Sequence, residues 1–372
     1  MTESDENIFW DNLSKKPDPN YKSVNLIQAD SVEPEPIKWL WDGYLARGKF
    51  HVLAGAPGTG KTTLAIKLAA LVSSGGTFPD GTKCEDQGVI IWSGEDDMKD
   101  TLIPRLIASG AYLENIFFVN DVIQNGKERS FDPATDIREL WVAGMKLPVH
   151  KVGLVIIDPV ANVVAGDSHK NGEVRRSLAP LVDMFQRLGC AGLCISHFSK
   201  GTAGRDPLER VTGSLAFGAL ARIVLVTAKV TTNGIDRRIF CRAKSNIGLD
   251  DGGFEYEIKE TELESHKGVF TSFAKFGTAL DGNATELLSE HNADDSGSDC
   301  GDFLTALLKG NKMAAKDVLS KGIENGFSDK QIRAAGKKLK VRIQREGFSI
   351  GSVVYWSLVN MDGILSHSLQ KK

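Results

Sequence analysis

The stretch VLAGAPGTGKTTLAIKLA, residues 52 to 69, places three glycines, a proline and a lysine between a short apolar run and a helix-forming one. A glycine-rich turn can point several backbone N–H groups at one centre, and a helix that begins there directs its positive end to the same place. A phosphate group fits this arrangement; the alternative is a glycine-rich turn that binds nothing. The pattern G-x-x-x-x-G-K-[ST] is complete and predicts an ATP site.

The side chains of this turn suggest individual roles. Lys61 can reach the terminal phosphates, and the hydroxyl group of Thr62 can bind Mg²⁺. The predicted nucleotide-binding residues of the turn are Gly55, Ala56, Pro57, Gly58, Thr59, Gly60, Lys61, Thr62 and Thr63.

Carboxylates follow two further apolar runs, in VGLVIIDPV and VIIWSGEDD. Residues at the carboxyl ends of parallel strands project into the ligand crevice. Asp158 could hold Mg²⁺ there through its water shell, or could cap the following turn. Glu95 could orient and deprotonate an attacking water, or could only enrich a first helical turn in acid, together with Asp96 and Asp97. We assign Glu95 to catalysis, Asp158 to Mg²⁺, and Asp96 and Asp97 to helix capping.

A histidine ends a third apolar run, in GLCISHFSK. A neutral imidazole at that place could hydrogen-bond the terminal phosphate and transmit its loss to the following loop. The alternative is a core histidine that is satisfied by backbone groups. Because other polar residues end neighbouring runs, we assign His197 to the phosphate-sensing role.

Apolar strand-like runs alternate with helical patterns from about residue 37 to residue 260, which predicts an α/β fold with a mainly parallel sheet covered on both faces. The predicted strands are 50–53, 89–92, 116–119, 152–157, 192–196 and 223–226. The predicted helices are 61–74, 98–109, 135–146, 174–188 and 212–220. Alternation in RRIFCRAKSNIGLDDGGFEYEIKE predicts a hairpin added to this sheet.

Four regions are predicted along the 372 residues: a poorly ordered segment 1–36, an ATPase domain 37–280, a linker 281–300 and a small α+β domain 301–372. The last region carries 13 Lys and Arg against 6 Asp and Glu, whereas the chain as a whole has a net charge of −3. A basic module on an acidic body favours a nucleic-acid partner.

Membrane and secretory classes are not expected. No apolar run approaches the roughly 18 residues that a membrane span needs, and the polar, acidic N-terminus does not resemble a signal peptide. The five cysteines, at positions 84, 190, 194, 241 and 300, have no metal-binding spacing. We expect reduced thiols and a cytoplasmic location.

The basic module is predicted to fold as helix, turn, helix and hairpin. Ser328 and Gln331 form a capping-box pattern before a helix over 329–340, in which Ile332, Ala335 and Leu339 share an apolar side. The basic residues of that helix lie mainly on other sides; they are Lys330, Arg333, Lys337 and Lys338. The pattern resembles a winged helix that could enter a groove of double-stranded DNA, and the alternative is a protein-contact domain.

The order of the motifs resembles that of the RecA-like hexameric ATPases, and especially of the plasmid replicative helicases called RepA and their phage relatives. The motifs are the phosphate loop, SGEDD, IIDP, SHFSKG, GSLAFGALARIV and RAKSNIG, and the resemblance covers about residues 39 to 248. It implies a RecA-like P-loop core with Lys61, Glu95 and His197 as catalytic residues, and with Thr62 and Asp158 at Mg²⁺. It also implies a homo-oligomeric ring, most often a hexamer.

The resemblance further implies cations that act on the ATP of a neighbouring subunit. Arg222 matches the arginine finger, and Lys244 falls where relatives place another basic residue. Arg242 is an equally good candidate, and a surface salt bridge is the alternative for Arg222. A finger in trans would neutralise the charge that spreads over the oxygens of the phosphoryl group during transfer.

Two loops, 163–173 and 199–210, match the loops that hold single-stranded DNA in RecA-like rings. Their candidate DNA-binding residues are His169, Lys170, Lys200, Arg205 and Arg210. Electrostatic contacts with the DNA backbone would dominate, because neither loop offers an aromatic side chain for stacking. The alternative for each residue is simple solvation.

The sequence therefore predicts an ATP-hydrolysing ring that moves on single-stranded DNA, as a replicative helicase of a phage or plasmid. Two alternatives remain: a DNA-binding regulator that ATP switches without strand separation, and a small-molecule kinase. The kinase hypothesis does not account for the SGEDD motif or for the basic module.

Overall fold

The structure is a computed structural model of the chain. It describes residues 24–148, 151–166, 170–198, 206–211, 215–232, 235–288, 295–309, 311–325, 327, 329–339, 341–346 and 353–358. A boundary between two compact units lies between Ile37 and Lys38. In the first unit, residues 24–37 are exposed and contain one short helical turn, Ala29–Ser31. Residues 1–23 of the predicted poorly ordered segment lie outside the described residues.

The second unit is built around a nine-stranded sheet. The strands of this unit that precede the C-terminal module are β1 (Trp39–Trp41), β2 (Leu45–Ala46), β3 (Phe50–Gly55), β4 (Gly88–Ser93), β5 (Ile116–Phe118), β6 (Asp121–Gln124), β7 (Lys127–Ser130), β8 (Val152–Asp158), β9 (Ala191–His197), β10 (Ile223–Thr232), β11 (Ile235–Ser245), β12 (Gly253–Glu262) and β13 (Phe270–Leu280). The order in the large sheet is β13-β12-β11-β10-β3-β9-β8-β4-β5. The six strands from β10 to β5 are parallel, which confirms the predicted mainly parallel sheet.

The helices of the core alternate with these strands. They are α1 (Lys61–Ser74), α2 (Ile103–Ala108), α3 (Ile137–Gly144), α4 (Asn171–Leu188), α5 (Leu215–Leu220) and α6 (Ala284–Leu288). Helix α1 has the predicted bounds, because glycines in the left-handed conformation flank it on both sides, Gly60 and Gly75. The predicted helix 98–109 begins instead with a π-helical turn, Met98–Leu102, before α2.

Two hydrophobic cores cover the two faces of the sheet, because successive side chains of each strand point to opposite faces. In β3, Val52 belongs to one core and Leu53 to the other; in β4, Ile90 and Ile91 divide in the same way. The parallel strands are buried on both sides, which explains their continuous apolar sequences.

An antiparallel extension, β11 to β13, follows the parallel strands. Strand β10 pairs with β11, β11 with β12, and β12 with β13. The predicted hairpin corresponds to β11 and β12, whereas β13 was not predicted. A small exposed hairpin, β6 and β7, turns at Asn125 and Gly126 and was also not predicted.

The C-terminal module contains α7 (Asp295–Leu308), β14 (Met313–Ala314), α8 (Ala315–Glu324), α9 (Asp329–Lys338), β15 (Arg342–Glu346) and β16 (Val353–Ser357). Its strands form an antiparallel sheet of order β14-β16-β15. A separate core of this module includes Leu304, Val318, Ile332 and Trp356. Helix α6 and the start of α7 lie within the predicted linker 281–300, so those parts of the predicted linker are helical.

Within the described ranges, every helix is too short or too polar to cross a lipid bilayer.

Candidate functional site

The register of the sheet brings the predicted strand-end residues to one edge. Gly55 at the end of β3 lies opposite His197 of β9 on one side and Thr227 of β10 on the other. Asp158 at the end of β8 lies opposite Ser93 of β4. Because these strands are parallel, their carboxyl ends form one crevice, as the motif positions predict.

The phosphate loop, residues 55–62, leaves β3 and enters α1. Gly58 and Gly60 have positive φ values of 75° and 91°, which L side chains rarely adopt. A Cβ atom on Gly58 would meet no atom within 4 Å, so the space above the loop is open. A Cβ atom on Gly55 would instead collide with Thr227. Gly55 is therefore needed for packing, and Gly58 for the shape of the loop.

Lys61 is the first residue of α1, and its side chain folds back over the loop. Its Nζ donates to the carbonyl oxygens of Gly55 at 3.0 Å and Ala56 at 3.1 Å. Burial lowers the pKa of Lys61, and the carboxylates of Asp158 and Glu95 oppose that effect. A buried ammonium group that rests on neutral carbonyls is a good partner for an anion.

Thr62 and Asp158 are in direct contact. The hydroxyl group of Thr62 donates to Oδ2 of Asp158 at 2.7 Å. Asp158 is buried, and this burial raises its pKa from 3.8 to about 6 against the effect of the Thr62 hydrogen bond. The nearby carboxylate of Glu95 also contributes to the rise. A carboxylate held in this way favours a cation beside it.

The turn that carries Glu95 is held by the side chain of Ser93 and by the end of β8. The hydroxyl oxygen of Ser93 accepts from the backbone N–H groups of Glu95 at 3.4 Å and Asp96 at 3.0 Å. The N–H group of Gly94 donates to the carbonyl oxygen of Asp158 at 2.8 Å. These bonds fix the SGED turn to the end of β8, while the Glu95 side chain is 54% exposed and can reach a ligand.

The next two carboxylates have different roles. Asp97 accepts from the N–H groups of Lys99 and Asp100, and so caps the following helical turn as predicted. Asp96 pairs instead with Arg105 at 2.8 Å. The prediction that Asp96 caps the helix was wrong, because the carboxylate of Asp96 forms an ion pair with Arg105 on α2.

His197 lies beside the catalytic candidate. Its Nε2 atom is 3.7 Å from Oε1 of Glu95. Burial and the positive charge of Lys61 lower the pKa of His197, so the imidazole is neutral at neutral pH and this contact is not an ion pair. The next residue, Phe198, donates its N–H group to the carbonyl oxygen of Gly55 at 3.2 Å. The loop after β9 is thus attached to the phosphate loop.

These groups match the chemistry of ATP and Mg²⁺. The loop offers backbone N–H groups and Lys61 for phosphate oxygens, and Thr62 with Asp158 offers two adjacent oxygens of the type that Mg²⁺ prefers. Five of the predicted residues converge on this edge: Lys61, Thr62, Glu95, Asp158 and His197. Thr63, in contrast, is buried within α1.

Arg222, Lys244 and Arg242 lie elsewhere. Arg222 immediately precedes β10. The first residue of β10, Ile223, pairs with His51 near the start of β3, so Arg222 lies at the edge of the sheet opposite to the phosphate loop. Lys244 donates to the last carbonyl groups around α5, at 2.7 and 3.1 Å. Arg242 stacks on Tyr44 at 4.3 Å and donates to the carbonyl oxygen of Asp251 at 2.6 Å.

The three cations therefore differ in availability. Lys244 and Arg242 form contacts within the chain. The side chain of Arg222 is exposed and makes no hydrogen bond or ion pair with any described residue. None of the three reaches the phosphate loop of the same chain.

The predicted DNA-binding loops are described only in part. His169, Lys200 and Arg205 lie outside the described residues. Lys170 pairs with Glu173 at 3.3 Å just before α4. Arg210 stacks on the ring of Phe198 at 4.2 Å, which is a structural contact that the sequence did not predict.

Two residues that contact the phosphate loop were missed in the sequence. Thr227 contacts the hydroxyl group of Thr59 at 2.8 Å, and Tyr256 donates to the carbonyl oxygen of Thr59 at 2.6 Å. Both are more than 160 positions away along the chain. No local pattern could have indicated these contacts, since they depend on the pairing of distant strands.

Comparison with protein families agrees with this geometry. A family model described as an AAA domain matches residues 15–203, about half of the chain. The match includes the phosphate loop, Glu95, Asp158 and His197, whereas Arg222 and the C-terminal module lie beyond it. No curated protein matches the chain. The chain belongs to the AAA-domain family of P-loop ATPases.

Proposed function

We propose that this AAA-domain protein is a Mg²⁺-dependent ATPase that assembles into a homo-oligomeric ring, with six subunits as the expected number. In this proposal the ring moves on single-stranded DNA and serves as a replicative helicase of a phage or plasmid. The observation that carries the proposal is the arrangement of charge: the catalytic groups meet at one edge of the sheet, and the exposed Arg222 lies at the opposite edge.

Each residue of the crevice has a role in hydrolysis. Lys61 binds the terminal phosphates, and Glu95 accepts the proton of the attacking water. His197 contacts the carboxylate of Glu95 and, as a neutral imidazole, can donate a hydrogen bond to a phosphate oxygen. Thr62 and Asp158 would hold Mg²⁺, which neutralises phosphate charge when it is bound.

The position of Arg222 supports the proposed assembly. Residues Ile223 to Thr227 of β10 lie beside His51 to Gly55 of β3, which separates Arg222 from the loop by about 16 Å at the rise of a strand. An arginine side chain is too short to cross that distance within one subunit. A ring in which this edge of one subunit faces the crevice of the next would supply the missing cation.

DNA contact is proposed for two parts of the chain. The loops that follow β8 and β9 begin at the nucleotide crevice, so their positions can respond to hydrolysis. The C-terminal module has the order helix, strand, helix, helix, strand, strand, which is the order of a winged helix. Its basic helix α9 is the candidate for a groove of double-stranded DNA.

Hydrolysis and assembly can be tested with two variants. We expect wild-type protein to hydrolyse ATP faster with single-stranded DNA, and to show a six-subunit mass with ATP and DNA. Lys61→Ala should abolish hydrolysis, since it removes the cation at the phosphates. Activity that survives in Lys61→Ala would refute the assigned site.

A mixing experiment tests the neighbouring arginine. Lys61→Ala and Arg222→Ala should each be inactive alone. In a random equal mixture, about a quarter of the interfaces combine an intact loop with an intact arginine, so about a quarter of the activity should return. Lys244→Ala tests the other candidate cation: because Lys244 donates to carbonyl groups at the end of α5, this variant should keep its activity. Full activity of Arg222→Ala alone would exclude the finger.

A fork-unwinding assay separates the motor from the ATP-switched regulator. A helicase displaces a strand in one polarity with ATP and fails with Lys61→Ala. A regulator hydrolyses ATP and binds DNA but displaces no strand in either polarity. That result would contradict the helicase proposal and support the regulator.

A further inference from the structure

The antiparallel extension forms a wall beside the phosphate loop. Strand β3 ends at Gly55, which lies opposite Thr227, but β10 continues beyond this point to Thr232. Strands β11 and β12 continue with it through their antiparallel pairing. The extension therefore projects past the end of β3, into the region where the loop turns toward α1.

Tyr256 crosses from this wall to the loop. It lies opposite Arg238 of β11, which in turn lies opposite Lys229 of β10, two positions beyond Thr227. Its ring is buried, and its hydroxyl group donates to the carbonyl oxygen of Thr59 at 2.6 Å. This hydrogen bond joins β12 to the centre of the phosphate loop.

Two further contacts hold the same part of the loop. The hydroxyl group of Thr59 lies 2.8 Å from that of Thr227 and also donates to the carbonyl oxygen of Ala56 at 2.9 Å. Ile258, which follows Tyr256 on the same face of β12, lies where a Cβ atom on Gly60 would come within 3.0 Å of its Cδ1 atom. The loop thus rests on a floor that residues of β10 and β12 provide.

We propose that Tyr256 is a positioning residue of the nucleotide site. By holding the carbonyl oxygen of Thr59, it fixes the peptide plane between Thr59 and Gly60, and with it the direction of the Gly60 N–H group. A loop whose N–H groups already point at the phosphate loses less conformational entropy when nucleotide binds. The antiparallel extension then contributes to the nucleotide site, although it lies outside the residues 15–203 that the family model matches.

The proposal rests on the nucleotide-binding function proposed above, and it predicts a specific pattern of kinetic change. Tyr256→Phe keeps the buried ring and removes one hydrogen bond. We expect the Kd for ADP, and for a slowly hydrolysed ATP analogue, to rise about 3- to 10-fold, as for the loss of one buried hydrogen bond. The KM for ATP should rise by a similar factor, while kcat at saturation should change less than about twofold, because no catalytic group is removed.

Tyr44→Phe is the matched control. Tyr44 is also buried and its ring stacks on Trp41 in the same core, but it makes no hydrogen bond to the loop, all of whose residues are described. Nucleotide affinity should remain unchanged in this variant. The free energy of unfolding without nucleotide is measured for both, so that a general loss of stability can be separated from a loss of positioning.

The outcomes distinguish this proposal from the function on which it rests. A raised Kd in Tyr256→Phe but not in Tyr44→Phe supports the positioning role. An unchanged Kd in Tyr256→Phe overturns that role, even if the variant unfolds more easily, and leaves the ATPase intact. If wild-type protein and Lys61→Ala both fail to bind nucleotide, the ATPase function itself is wrong.

Discussion

Replacing Asp158 by Asn should make the nucleotide-free protein more stable, although it removes a carboxylate that we propose to hold Mg²⁺. Burial raises the pKa of Asp158 from 3.8 to about 6, so the folded chain holds the ionised carboxylate at a cost. A shift of about two pKa units corresponds to about 3 kcal/mol at a pH well above 6. Asn keeps an oxygen that can accept from Thr62, but its buried amide N–H groups gain no assured partner. Leaving these groups unpaired costs about 1 kcal/mol or more, so the expected net gain is at most about 2 kcal/mol.

The pH dependence of the stability difference follows from the direction of the pKa shift. Between pH 3.8 and about 6 the folded state binds more protons at Asp158 than the unfolded state, so wild-type stability falls as the pH rises through this window. Above it, the penalty on the ionised carboxylate is complete. The stability of Asp158→Asn relative to wild type should accordingly be about 1.4 kcal/mol more favourable at pH 8 than at pH 5.

Urea denaturation in the presence of EDTA and without nucleotide measures this difference. The free energies of unfolding of wild type, Asp158→Asn and the exposed control Asp250→Asn are compared at pH 8 and pH 5. Asp250→Asn should match wild type at both. If Asp158→Asn is less stable than wild type at pH 8, or if its advantage does not change with pH, burial of the charge is not the dominant effect at this position.

Two further predictions concern strand β3: His51 lies near its start, and Gly55 lies at its end beside the crevice. His51 is fully buried, and burial lowers its pKa from 6.5 to about 4. The free energy of unfolding of wild type should therefore fall by about 2 kcal/mol relative to that of His51→Gln between pH 7 and pH 5. Urea denaturation measures this loss, with the exposed His266→Gln as control, and parallel pH profiles of wild type and His51→Gln would contradict it. Gly55→Ala should lower the free energy of unfolding by about 1–3 kcal/mol, because its Cβ atom would collide with Thr227, and a variant as stable as wild type would show that the strand end adapts freely.

Local sequence predicted the parts of the fold in which a short segment contains its own signals. Helix α1 has apolar residues at helical spacing and glycine on both sides, and its bounds were predicted to the residue. Asp158 and His197 each follow a continuous apolar run, and parallel pairing places both at the crevice. In these cases the pattern of burial is nearly a property of the segment itself.

The remaining elements depend on contacts that a local pattern does not contain. Strand β13 pairs only with β12 and is half exposed, so its apolar residues do not form a continuous run. Helix α7 begins with polar residues and reaches its buried Leu304 only in its third turn, which made its first half resemble a linker. The hairpin of β6 and β7 could have been found, because Asn125-Gly126 is the most typical pair of residues for its turn.

Lys61 and Asp158 explain why stability and binding oppose each other in this chain. Burial shifts both pKa values toward the neutral forms, down for Lys61 and up for Asp158. Among the described residues, Lys61 donates to two carbonyl groups, and Asp158 accepts from one hydroxyl group, that of Thr62. A phosphate would supply the missing anion and Mg²⁺ the missing cation, so one ligand would offset both desolvation costs. Both side chains thus carry a desolvation cost in the ligand-free chain that MgATP would offset, and Asp158→Asn should raise stability while it weakens nucleotide binding.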